Sequence, residues 1–133
     1  MADEEAVLAA NQAFYDAFGA GDAAAMDALW ARHAPVACTH PGWTAMTDRV
    51  RIIESWAAIL EGASGQVACL EPQAHIVGDV AFVTCNEAVG DSLLAATNLF
   101  VREGGAWRMV HHHASPVARA FVKGGPRRGD AVH

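Results

Sequence analysis

Three consecutive histidines, His111, His112 and His113, stand in the run AWRMVHHHASPV at residues 106–117. Imidazoles serve as metal ligands, as proton carriers or as hydrogen-bonded packing groups. In an extended strand alternate side chains share a face, so His111 and His113 pair off and His112 points the other way. Their Cα atoms then lie roughly 6–7 Å apart, a span two ligands of one ion can have. Zinc needs a third strong ligand, and His75 is the sole candidate for that face. The spacing matches no familiar metal motif. The expectation is therefore no metal, with the imidazoles hydrogen-bonded in a core or an interface.

A second set of candidates comes from the same alternation. If GD at 78–79, DS at 91–92 and EGG at 103–105 are tight turns, four β-rich runs at 66–77, 80–90, 93–102 and 106–115 form an antiparallel meander. The turns then pair Ile76 with Ala81, Cys85 with Ala96 and Glu87 with Leu94. Through EGG, Ala96 meets His112 and Asn98 meets Val110. One face carries Leu70, Ala74, Val83, Glu87, Asn98, Phe100 and His112, mostly small and apolar with three polar groups. The other carries Gln73, His75, Thr97, Leu99, Trp107, Met109, His111 and His113. That second face is amphipathic and suits a homodimer interface.

The elements that position these strands are helical. In DEEAVLAANQAFYDAF, Val7, Asn11, Phe14 and Phe18 recur at spacings of three and four, with Asp3, Glu4 and Glu5 at the positive end of the dipole. GAGD stops this helix, and Asp22 caps a second, AAAMDALWAR, whose Met26, Leu29 and Trp30 share a face. An apolar stretch, PVACTH, and a turn-like HPGW lead to a third helix capped by Thr47 or Asp48, with Ile52, Ile53 and Trp56 buried and Gly62 as its stop. Three helices followed by a curved antiparallel sheet make an α+β arrangement in which the helices cover one face.

Composition narrows the partners. The chain has 133 residues, 53% of them hydrophobic and 18% charged, which is one globular domain. A net charge of −6 argues against nucleic acid. No apolar stretch spans a membrane, and MADEEAV is not a signal peptide, so a cytoplasmic protein is expected. Cys38, Cys69 and Cys85 are odd in number without CxxC spacing, which reads as reduced thiols. The domain should span 1–123, with 124–133 a mobile basic tail.

Residues 4–117 resemble the SnoaL-like group of the nuclear transport factor 2-like (ketosteroid isomerase-like) superfamily. The likeness rests on CTHPGWTAM (38–46), IIESW (52–56), VGDVAFV (77–83) and the terminal WRMVHHHASP. The association domain of calcium/calmodulin-dependent protein kinase II is similar in the same places. The resemblance implies a cone-shaped α+β barrel, a deep pocket between helices and sheet, and a homodimer. It implies no single chemistry, since the superfamily holds isomerases, cyclases, dehydratases and non-catalytic binding domains. Where the kinase association domain has pocket arginines, Glu87, Asn98 and Ala114 stand here, which argues against an anionic ligand. The ketosteroid isomerase set is not matched either, because Tyr15 is the sole tyrosine and no second pocket carboxylate is evident.

Two functions follow as expectations. In the first, the protein binds a small apolar molecule with a polar group and acts as a cofactor-independent isomerase, lyase or hydrolase by proton transfer. Glu87 is then the base, His112 the acid, and Tyr15 or Asn98 the donor to a developing oxyanion. In the second, the protein is a non-catalytic binding or assembly module. Trp30, Trp43 and Trp56 form the wall and mouth of its pocket, with His40 at the rim. The competing reading of Glu87 is a solvated strand end, and that of the tryptophans is core packing.

Overall fold

The computed structural model describes residues 2–62 and 67–118. The expected tail at 124–133, and its boundary near residue 123, lie outside the described residues. Three helices, α1 (Ala2–Ala20), α2 (Ala23–Leu29) and α3 (Arg49–Gly62), pack on one sheet. Its strands are β1 (Ala37–Thr39), β2 (Val67–Val77), β3 (Val80–Val89), β4 (Ser92–Glu103) and β5 (Ala106–Pro116), in the order β1-β5-β4-β3-β2. The sheet is curved and does not close, the α+β arrangement of the nuclear transport factor 2-like fold. No helix among the described residues is long and apolar enough to cross a membrane.

The helical expectations hold with one difference. α1 buries Val7, Asn11, Phe14 and Tyr15, and Gly21 ends it at a φ of 65° that favours glycine. Asp22 caps α2 by accepting from the Ala25 N–H at 3.0 Å. That helix ends at Leu29, before the expected WAR. Trp30 turns extended and bridges to Met109 of β5, and the Ala31 N–H donates to the Met109 carbonyl at 2.9 Å. Sheet pairing and the burial of Trp30 outweigh one more helical turn. Glu103 holds the following loop by accepting from the backbone N–H groups of Arg32, His33 and Ala34. Those donors, Arg32 first, pull its carboxyl down to about 2. At the next helix Asp48 takes the capping role, accepting from the Val50 N–H at 3.0 Å.

PVACTH carries the fifth strand. β1 runs parallel to β5, with Cys38 beside His112, and so seats the HPGW turn against the end of β5. The β3–β4 register, and that of β2–β3 from Gln73 onward, are those expected, including Ile76 with Ala81, Cys85 with Ala96 and Glu87 with Leu94. β4–β5 differs. Asn98 pairs with His112 and Ala96 with Ala114, two residues from the expected alignment: one because the turn is Gly104–Gly105 alone, with Glu103 paired to Ala106, and one because Val110 is an extra residue between the Leu99–His111 and Phe100–Met109 pairs. A two-residue displacement leaves His112 on the helix-covered face, but the strand's first half, displaced by the turn's one residue alone, has the opposite phase until the bulge restores it. Trp107 and Met109 therefore point inward, 8% and 0% exposed, and not onto the outer face with His111.

A second bulge, between Leu70 and Gln73, turns Leu70 outward and brings Cys69 beneath α1. Within it Glu71 has a φ of 52°, in the left-handed region that costs a non-glycine residue about 1–2 kcal/mol. Glu71→Gly removes that strain against an entropic cost of about 0.5–1 kcal/mol. The expected outcome is a protein more stable by about 0.5 kcal/mol in urea denaturation. A clear loss of stability would show that the Glu71 side chain holds the bulge.

Candidate functional site

The polar groups of the helix-covered face do not scatter; they form one chain of hydrogen bonds. Tyr15, on the inner face of α1, donates its hydroxyl proton to Glu87 Oε2 at 2.6 Å. Asn98 Nδ2 donates to Asn11 Oδ1 at 2.8 Å and to the Tyr15 hydroxyl at 3.2 Å. With both amide protons used, Asn98 Oδ1 is an acceptor, and His112 Nδ1–H donates to it at 2.6 Å. The amide orientation and the tautomer are thus assigned from the network itself. It leaves His112 Nε2 with a lone pair, 3.9 Å from Glu87 Oε2. Glu87, Asn98 and His112 are 1%, 0% and 2% exposed, so Glu87 is no solvated strand end.

Burial sets the protonation of these groups. It pushes the Glu87 carboxyl up, opposed in part by the bond from Tyr15. It pushes His112 down to about 3, with the nearby imidazoles of His40, His111 and His113 adding to the effect. The Tyr15 phenol is raised by burial and by its carboxyl neighbour, so it remains a donor. At neutral pH His112 is a neutral imidazole, and burial favours the protonated form of the carboxyl beside it.

His40 belongs to a second, shorter arm. Ser55 donates its one hydroxyl proton to the Ile52 carbonyl at 2.7 Å, so the 2.9 Å contact between His40 Nε2 and Ser55 Oγ is a bond donated by the imidazole. His40 Nδ1 then has no hydrogen-bond partner among the described residues. The ring stands edge-on to both Trp43 and Trp56, at 4.8 and 4.7 Å between centroids. Burial lowers its pKa to about 4.

Between these arms lies a cavity of about 280 Å³. Glu87, His112 and His40 supply its polar groups, and Phe18, Trp43, Trp56, Ile59 and Leu94 much of its apolar wall. Trp43, half exposed, sits at its mouth, where the Pro41–Gly42 turn closes with a bond from the Trp43 N–H to the His40 carbonyl at 2.9 Å. Tyr15 and Asn98, expected on the pocket wall, stand behind it and hold Glu87 and His112. Alternation and helical period place them on the right face but not at the right depth. Asn11 and Ser55 were missed as site residues; each is a lone polar residue within an otherwise apolar helix stripe. A larger hollow, about 890 Å³, lies on the outer face of the sheet along Gln73, Thr97, Leu99, His111 and His113. It is an open trough without a buried polar group, so the smaller cavity is the better chemical site. Among the described residues no three His, Cys, Asp or Glu side chains gather as a metal-holding group.

The comparisons with known proteins agree with this architecture. The model of the SnoaL-like domain matches residues 7–119. A candidate dehydratase of the NTF2-like family from Streptomyces avermitilis is 34% identical, with a TM-score of 0.81 over 88% of this chain and 97% of that one. A candidate calcium/calmodulin-dependent protein kinase type II association domain from Thiobacillus denitrificans is also 34% identical, with a TM-score of 0.68 over 83% and 94%. The F-box protein SKIP8 of Arabidopsis thaliana is 29% identical over 119 residues, 86% of this chain. The chain spans about half of that relative, 51% of its length. A domain match across nearly all of the described residues, on a fold shared with relatives of like size, shows that the chain belongs to the SnoaL-like domain family.

Proposed function

We propose that the protein binds a small, uncharged, largely apolar molecule in the 280 Å³ cavity and acts on it by proton transfer, without a cofactor, as a lyase, isomerase or hydrolase. One observation carries this reading: a buried acid and a buried imidazole lone pair, 3.9 Å apart, at the polar side of an apolar cavity. Burial favours the protonated form of Glu87, and the neutral His112 keeps a lone pair at Nε2. Glu87 is therefore assigned as the acid and His112 as the base, the reverse of the roles expected from the sequence. Once a substrate has taken one proton and given another, the pair is carboxylate and imidazolium. Their proximity in a low-dielectric site stabilises that charge separation and lets the proton return. The relative described as a candidate dehydratase favours elimination of water as the reaction.

The test is a panel of uncharged alcohols and ketones, screened by thermal shift and then by mass spectrometry of the products. A ligand that raises the melting temperature should be turned over by the wild type. Glu87→Gln should bind it within about twofold yet lose at least about 10²-fold in turnover, since it loses an acid and little volume. A panel that leaves the melting temperature unmoved overturns the reading.

The kinase association domain relative favours a second reading, a binding module that assembles through its outer face. We assign a homodimer to Thr97, Leu99, His111 and His113 of that face. Trp107 and Met109 take no part, since they point into the core. Sedimentation showing a monomer at micromolar concentration overturns this assignment.

A further inference from the structure

The hydrogen-bond arithmetic of the cavity reaches past the proton-transfer pair, on whose site this inference rests. His112 spends its only N–H on Asn98, and His40 spends its only N–H on Ser55. Each imidazole, 2% and 3% exposed, therefore offers a lone pair that no group among the described residues meets. The ring centroids are 6.5 Å apart, both rings line the cavity, and Trp56 stands beside both, at 4.7 and 5.6 Å. Among the described residues no lysine or arginine lines the cavity, so none of them compensates an anion there. At either imidazole a carbonyl or ether oxygen would face an acceptor, whereas a hydroxyl or N–H faces a partner.

We propose that the cavity is specific for an uncharged molecule that donates two hydrogen bonds at once, one to His112 Nε2 and one to His40 Nδ1, with an aromatic diol as its simplest form. The ring fills the space between Trp43, Trp56 and Phe18, and its two hydroxyls reach the two imidazoles. Ser55 and Asn98 are positioning residues in this scheme. They touch no ligand, but each fixes which nitrogen of its histidine keeps the lone pair.

Three probes of similar shape test it at pH 7 by calorimetric titration: resorcinol, phenol and 1,3-dimethoxybenzene. Resorcinol should bind at least tenfold more tightly than the dimethoxy compound, with phenol between them. His40→Phe keeps the aromatic contacts and should weaken resorcinol to the level of phenol while leaving phenol within about twofold. Nitrogen-15 spectra of the free protein should show His40 protonated at Nε2 and His112 at Nδ1, and Ser55→Ala should shift the first and not the second. Dimethoxybenzene binding as tightly as resorcinol, or His40 protonated at Nδ1, overturns this proposal and leaves the proton-transfer reading standing; His112 protonated at Nε2 overturns both. Failure of all three probes to bind overturns both.

Discussion

Acidification from pH 6.5 towards pH 4 is expected to unfold this protein progressively, with the slope steepening below about pH 4.5. The folded state holds His40 at about 4 and His112 at about 3, against 6.5 for an exposed imidazole. Between those limits the unfolded chain binds more protons, so stability falls as pH falls. Each imidazole contributes at most about 1.4 kcal/mol per pH unit in that window. Glu87 works the other way above its ordinary range, because its raised pKa makes the folded state the better proton binder there. Its opposition ends below pH 4.5, where Glu103, held down at about 2, adds to the loss. Urea denaturation at a series of pH values reads the slope directly. His112→Asn should flatten it by about one proton, and an unchanged slope in that variant would show that the buried imidazole is not neutral.

Asn98→Leu is expected to cost about 3–5 kcal/mol, a large share of the stability of a domain this size. Leucine fills the space but strands the Asn11 Oδ1 acceptor and the His112 Nδ1–H donor in a site from which water is excluded. Each unsatisfied group carries about 1–3 kcal/mol of desolvation cost. Asn98→Asp should fall between, because it keeps the acceptor for His112 while losing both donated bonds. The measurement is chemical denaturation of both variants with m-values compared to the wild type. A loss under 1 kcal/mol for leucine would mean that the network reorganises around the gap.

The same polar network shows how far the sequence could be read. Glu87 and Asn98 fall on one face by alternation from the turns at 78–79 and 90–91, the second lying one residue before the expected DS, and His112 joins them because its two-residue displacement preserves the face. Tyr15 joins them because helical period puts it beside Phe14 and Asn11. Register in β5 was legible only in part: Gly104–Gly105 marks the turn, though Glu103 belongs to β4, but the extra residue is a valine and carries none of the glycine signal that some bulges advertise. The bulge in β2 is equally silent, with a glutamate at positive φ where a glycine would have marked it. β1 is three residues long and has no period of its own; it becomes a strand only because β5 offers an edge. The depth of each polar side chain followed from that tertiary pairing.

The extra residue in β5 also gives the chain one place where its length is negotiable. Were Val110 deleted, Met109 would be followed directly by His111, and both would still oppose Phe100 and Leu99 on the faces they now occupy. Loss of Arg108 instead would leave the bulge in place and reverse Trp107 against the core. Insertions and deletions should therefore be accepted at Val110, and at the slack between Leu70 and Gln73, while a change of one residue elsewhere in these strands turns the cavity's side chains out to water.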